Sequence, residues 1–165
     1  MTLYGDLDEI PTIPPPTSAD RRPEPDSSRV THSRVTHEIR AEEDLLSARH
    51  AVREATLHAG FGLVDQTRIV TAASELARNA YVHGGGGTLV IESVQRSGRQ
   101  GLRLSVSDDG PGIADLDAAF TDGYTTGAGL GHGLGGARRL MDEFEVTSTP
   151  GRGTTVTAVR WNGPR

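Results

Sequence analysis

Four consecutive glycines, Gly84-Gly-Gly-Gly87, separate two kinds of periodicity in this chain. Before them, apolar residues recur at three- and four-residue spacing: Leu45, Ala48, Val52, Ala55 and Ala59, then Ile69, Ala72, Ala73, Leu76 and Ala80. After them, apolar and polar residues alternate over Thr88 to Gln95 and Gly101 to Ser107, around Arg96-Ser-Gly98-Arg. The first spacing belongs to helices with one apolar face, the second to strands with one buried face. It predicts a helix from Glu42, with Glu42, Glu43 and Asp44 in the first turn where the helix dipole favours acids, ending at Gly60. A second helix follows, capped by Asp65 and stopped by the glycine run, and then a hairpin. Leu130 to Glu143 reads as a third helix. Phe144 to Ser148 and Thr154 to Trp161 read as strands joined by Pro150-Gly-Arg-Gly153. The near-duplicated Arg29-Val-Thr-His32 and Arg34-Val-Thr-His37 alternate up to Ile39 as an edge strand. The order β, αα, ββ, loop, α, ββ predicts an α/β (α+β) two-layer sandwich, with one mixed or antiparallel sheet and helices on one face.

A chain of 165 residues suits one such domain, placed at 29–165. Residues 1–28 hold most of the prolines, including Pro14-Pro-Pro16, and too few apolar groups to offset their ordering entropy, so a disordered tail is expected there. The formal charge is −5 and no run of Lys or Arg occurs, which argues against nucleic acid and against an anionic membrane as partners. The start lacks a basic segment followed by an apolar one, and no stretch approaches ~18 apolar residues, so a soluble, cytoplasmic protein is expected. Cysteine is absent, which removes thiolate chemistry and disulfides. All 17 basic residues are Arg. Without Lys, neither a Walker-type phosphate loop nor the strand lysine of a eukaryotic-type protein kinase can be built.

Fifteen of the 21 glycines fall between Gly84 and Gly136, so glycine is concentrated where a ligand would approach the backbone. Gly129, Gly131, Gly133 and Gly135 alternate, with Leu130, His132 and Leu134 between them, ahead of Ala137-Arg-Arg-Leu-Met. Backbone N–H groups there can meet phosphate at a helix N-terminus. By itself a Gly-x-Gly-x-Gly run is equally a plain flexible loop. Glu75 and Asn79 are four apart on one helical stripe beside the apolar face, an arrangement that also suits a polar surface seam. An amide oxygen suits Mg²⁺, which keeps waters and bridges phosphates, and a nearby carboxylate can accept a hydroxyl proton. Asp108-Asp-Gly110-Pro-Gly112 follows a strand. A carboxylate fixed at a strand end can accept the exocyclic amine of adenine, although an Asp-Gly turn with Pro is common in its own right. Thr154 begins the last strand and can reach the same base, directly or through water.

Glu-x-x-x-Asn on a helix, Asp-x-Gly-x-Gly after a strand, Gly-x-Gly-x-Gly before a helix and a closing Gly-Thr resemble, in that order, the N, G1, G2 and G3 boxes of the GHKL ATPase superfamily. The resemblance covers about residues 30 to 161. Gly60-Phe-Gly-Leu-Val-Asp-Gln-Thr-Arg-Ile69, Ser74-Glu-Leu-Ala-Arg-Asn79, Asp122-Gly-Tyr-Thr-Thr126 and Arg139-Leu-Met-Asp-Glu-Phe144 are similar to the RsbT-like switch serine/threonine kinases. That resemblance implies the Bergerat ATP-binding fold, with ATP and Mg²⁺ as cofactors. Phosphoryl transfer would go to STAS-domain antagonist or scaffold proteins, RsbS-like and RsbR-like, with relay to an RsbU-type phosphatase. It implies Glu75 as the base on the acceptor hydroxyl and Asn79 as the Mg²⁺ ligand. Asp108 becomes the adenine acceptor, with Gly110, Gly112 and Thr154 beside it, Gly129 to Gly135 become the phosphate cradle, and Thr125 and Thr126 join the nucleotide-binding residues. Two alternatives stay open: an RsbW-like anti-sigma factor that sequesters a sigma factor, and a non-catalytic ATP-dependent binding module. The pattern departs from the RsbT-like one in its four glycines, where a basic residue tends to stand, and in the proline-rich tail.

Overall fold

A computed structural model of the chain describes residues 33–120 and 133–163. The expected tail over 1–28 and the glycine-rich stretch 121–132 lie outside the described residues. Along the chain run β1 (Arg34–Ile39), α1 (Glu42–His58), α2 (Leu63–Gly84), β2 (Gly87–Arg96), β3 (Arg99–Asp108), α3 (Leu116–Ala119), α4 (Gly133–Leu140), β4 (Glu143–Thr149) and β5 (Gly153–Trp161). The strands form one sheet in the order β1-β2-β3-β5-β4, and every pairing is antiparallel. Of the two sheet forms expected, the structure has the antiparallel one, in an α/β layer arrangement.

Strand alternation decides which face the helices cover. Leu89 and Ile91 of β2, Leu102, Leu104 and Val106 of β3, and Val156 and Ala158 of β5 lie on one side and are buried. They join Ala48 and Val52 of α1, Ile69, Ala72, Ala73, Leu76 and Ala80 of α2, and Leu134 and Ala137 of α4 in a single core. Each large aliphatic taken fully out of water, such as Ile69 or Leu104, contributes about 1.5–3 kcal/mol, and small alanines let the helices approach the sheet. No helix among the described residues is long and apolar enough to cross a membrane.

Three boundaries differ from the sequence expectation. Asp65 does not cap α2: the cap position is Gly62, and Asp65 lies in the first turn, accepting from the Arg160 guanidinium of β5 at 2.7 Å. A long-range ion pair has taken the carboxylate that local reading assigned to the backbone. The last α-helix ends at Leu140 instead of Glu143. Asp142 N–H donates to Val159 O at 2.9 Å and its carboxylate accepts Trp161 N–H at 2.8 Å, so β5 recruits the chain into the ladder before the helix can continue. The short helix α3 lies in what reads as loop. Asp115 caps it, accepting Ala118 N–H at 3.0 Å.

The glycine run has structural reasons. Gly85, in the left-handed region at φ +73°, ends α2. A Cβ on Gly84 would come within 2.6 Å of Asp108 Oδ1, so a side chain there would displace that carboxylate.

Candidate functional site

The site is built at one end of the sheet, where β3 finishes and β5 begins. Asp108 pairs with Thr154 across β3 and β5, and Thr154 with Ser148 across β5 and β4. All three fall on the helix-covered side, continuing the inward rows Leu104, Val106, Asp108 and Ala158, Val156, Thr154. Over this row lies a cleft of about 400 Å³, within the range of small-molecule sites. The last turns of α2 supply Asn79, Ala80, His83 and Gly84 to its wall, the start of α4 supplies Gly133 and Leu134, and the segment after β3 supplies Pro111 to Ala114.

Local hydrogen bonds fix this geometry. Asp108 Oδ1 accepts Gly110 N–H at 2.9 Å, closing an Asx turn that leaves the strand sharply. Among the described residues no hydrogen bond or cation reaches its second oxygen. The segment after the turn is held on the β4–β5 connection twice. Gly151 N–H donates to Pro111 O at 2.8 Å, and Ile113 N–H donates to Ser148 Oγ at 2.7 Å. Ser148 Oγ also lies 2.9 Å from Thr154 Oγ1.

The structure thus brings Asn79, Asp108, Gly112, Gly133, Leu134 and Thr154 around one cleft. Gly110 stands behind Asp108 as its hydrogen-bond partner, and Gly135 is buried within α4. Glu75 sits one turn before Asn79 on α2, half-buried, and does not line the cleft. Thr125, Thr126, Gly129, Leu130, Gly131 and His132 lie outside the described residues. His83 is exposed in the last turn of α2 and also lines the cleft. Sequence reasoning missed Ser148, which bonds to the lining residues Ile113 and Thr154, and the α3 residue Ala119, which lines the cleft itself. The alternation Phe144, Val146, Ser148 carried a signal for the first, since it puts Ser148 on the inward face at a strand end.

The family described as histidine kinase-, DNA gyrase B-, and HSP90-like ATPase matches residues 64–162. The serine/threonine-protein kinase RsbT of Bacillus subtilis (strain 168) is 47% identical over 123 residues, which span 74% of this chain and 92% of that protein. An anti-sigma F factor of Thermoanaerobacter sp. (strain X514) is 35% identical over 102 residues, 58% of this chain and 69% of that one. Among solved structures, the RsbU and RsbW domains of a Mycobacterium tuberculosis protein superpose with a TM-score of 0.56 at 22% identity, covering 81% of this chain and 34% of that longer one. At that identity the likeness speaks to the fold. The chain belongs to the histidine kinase-, DNA gyrase B- and HSP90-like, or GHKL, ATPases. Within them it falls in the family of the serine/threonine-protein kinase RsbT, and is by that membership an ATP-dependent protein kinase.

Proposed function

We propose that this chain transfers the γ-phosphoryl group of ATP to a serine or threonine of STAS-domain proteins of the RsbS and RsbR kind, in the cytoplasm, and relays the signal to an RsbU-type phosphatase. The observation that carries the reading is a strand-end carboxylate with one oxygen unbonded among the described residues, lining one cleft with Asn79, in a chain nearly half identical to RsbT.

In this reading the open Asp108 oxygen accepts the exocyclic amine of adenine, and Thr154 contacts the neighbouring ring nitrogen. Leu76, Ala80, Val106, Ile113 and Leu134 would give the base an apolar slot. The donor set also fits Mg²⁺. Among the described residues no group of three His, Cys, Asp or Glu side chains is arranged to cage a metal, and Mg²⁺ on a nucleotide needs only one or two protein oxygens beside phosphates and waters. Asn79 would hold it, and the ion would supply neutralisation of phosphate charge. Glu75, one turn back, would orient the acceptor hydroxyl and take its proton. The N-terminus of α4, with Gly133, Leu134 and Gly135, would present N–H groups to phosphate, joined by Gly129, Leu130, Gly131 and His132 and by Thr125 and Thr126. Phosphoryl transfer asks mainly for positioning and charge stabilisation, which such a site supplies without a lysine.

The test is incubation with Mg-ATP and purified RsbS-like and RsbR-like STAS proteins, reading phosphoserine and phosphothreonine. Stoichiometric transfer is expected, and its absence would sink the reading. The anti-sigma F relatives favour a second one, sequestration of a sigma factor. A pull-down that retains a sigma factor and no STAS protein or phosphatase would select it.

A further inference from the structure

Ser148 belongs to none of the sequence motifs, yet its hydroxyl joins three parts of the cleft. It accepts Ile113 N–H at 2.7 Å and lies 2.9 Å from Thr154 Oγ1 and 3.2 Å from the Gly153 carbonyl oxygen. A serine hydroxyl has two lone pairs and one proton. Ile113 occupies one lone pair, so the proton goes either to Thr154 Oγ1 or to Gly153 O.

The choice sets the polarity that Thr154 shows the cleft. With the Ser148 proton on Gly153 O, the Thr154 proton is drawn back to the remaining Ser148 lone pair, and Thr154 offers only acceptors. With the Ser148 proton on Thr154 Oγ1, the shorter contact, the Thr154 proton is free to turn into the cleft as a donor. Adenine carries an acceptor, its N1 nitrogen, next to the exocyclic amine. Guanine carries an N–H at that position. Only the second arrangement answers adenine.

We infer that Ser148 is a positioning residue of the nucleotide site: it donates to Thr154 and so turns the Thr154 hydroxyl directly toward adenine N1. This rests on the ATP reading above. Ser148 also holds Ile113, but that segment keeps its second tie through Gly151 and Pro111, so removing the hydroxyl leaves the cleft standing.

The experiment measures dissociation constants of the full chain for ATP and for an ATP analogue in which carbon replaces adenine N1. Wild type should prefer ATP by roughly 5- to 10-fold, the worth of one hydrogen bond. Ser148→Ala should lose most of that preference while melting close to wild type. In a Thr154→Val background, Ser148→Ala should change the preference no further. Ser148→Ala weakening both nucleotides equally, with the preference intact, would overturn the inference and leave Ser148 a purely structural tie. So would wild type binding ATP with no preference, or fully additive effects of the two substitutions. Wild type binding neither nucleotide would overturn the ATP reading itself, and this inference with it.

Discussion

Asp108, at the end of β3, and Asp142 and Glu143, where β4 begins, are acids at opposite ends of one sheet. Asp142 is 3.6 Å from Arg160 and accepts Trp161 N–H. Glu143 takes a bidentate Arg96 and the Trp161 indole N–H. Arg160 reaches Asp65 of α2 as well, and donates to Leu140 O, so one guanidinium fastens α2, the end of α4 and β5. At the other end Asp108 has a backbone N–H and no cation among the described residues, although the chain holds 17 arginines. One end pairs its charges with one another; the other leaves a carboxylate without a cation among the described residues. On the proposed reading the contrast separates function from stability, because an unpaired carboxylate in a half-buried position costs folding free energy that a paired one does not.

Substitutions that separate activity from stability test the contrast, and the largest effect is expected at Glu75. Glu75→Ala should lower single-turnover phosphoryl transfer by about 10²–10⁴-fold, the usual worth of a positioned base, with ATP affinity retained. Unchanged transfer would remove Glu75 from the reaction. At the opposite end, Arg160→Met leaves Asp65 and Asp142 without their shared cation. Breaking a buried pair costs ~3–5 kcal/mol, and these acids keep some solvent, so about 2–3 kcal/mol of stability should be lost in urea unfolding. ATP affinity should stay as in wild type, and a parallel loss of binding would mean that the two ends are not independent. Asp108→Asn should do the reverse: nucleotide binding weakens by ~1–3 kcal/mol, with no loss of unfolding free energy.

How much of this was legible beforehand follows from the range of each interaction. The helices α1 and α2 and the β2–β3 hairpin were readable because their patterns are local: Leu76 and Ala80 are one turn apart, and Leu102, Leu104 and Val106 alternate. The sheet-end row was partly readable, since Asp108 and Thr154 stand in recognisable motifs. Asp65 misled because the group that claims it, Arg160, is 95 residues away. Ser148 was legible only in part for the same reason: alternation puts it on the inward face, but its partner Ile113 is 35 residues earlier, and nothing near Ser148 in sequence announces that contact. Gly84 reads as a helix stop in sequence, and its closeness to Asp108 appears only once β3 lies against α2.

The smallest effect belongs to an acid of a third kind, neither paired with a buried cation nor open to the cleft. Asp44, in the first turn of α1, reaches back to accept the backbone N–H groups of Arg40 at 2.8 Å and Ala41 at 2.9 Å. These bonds, Arg40's first, hold its carboxyl below the ordinary value of 3.8. A carboxylate whose acidity is raised by folding stabilises the native state above that ordinary value, and the contribution is lost as pH falls through the lower, folded one. Asp44→Ala should therefore lower the unfolding midpoint slightly at neutral pH. The gap between variant and wild type should narrow as the pH is taken below 3.8. A gap independent of pH would mean that the effect does not come from the charge, since helix propensity alone would favour the alanine, and ATP affinity should not move in either case.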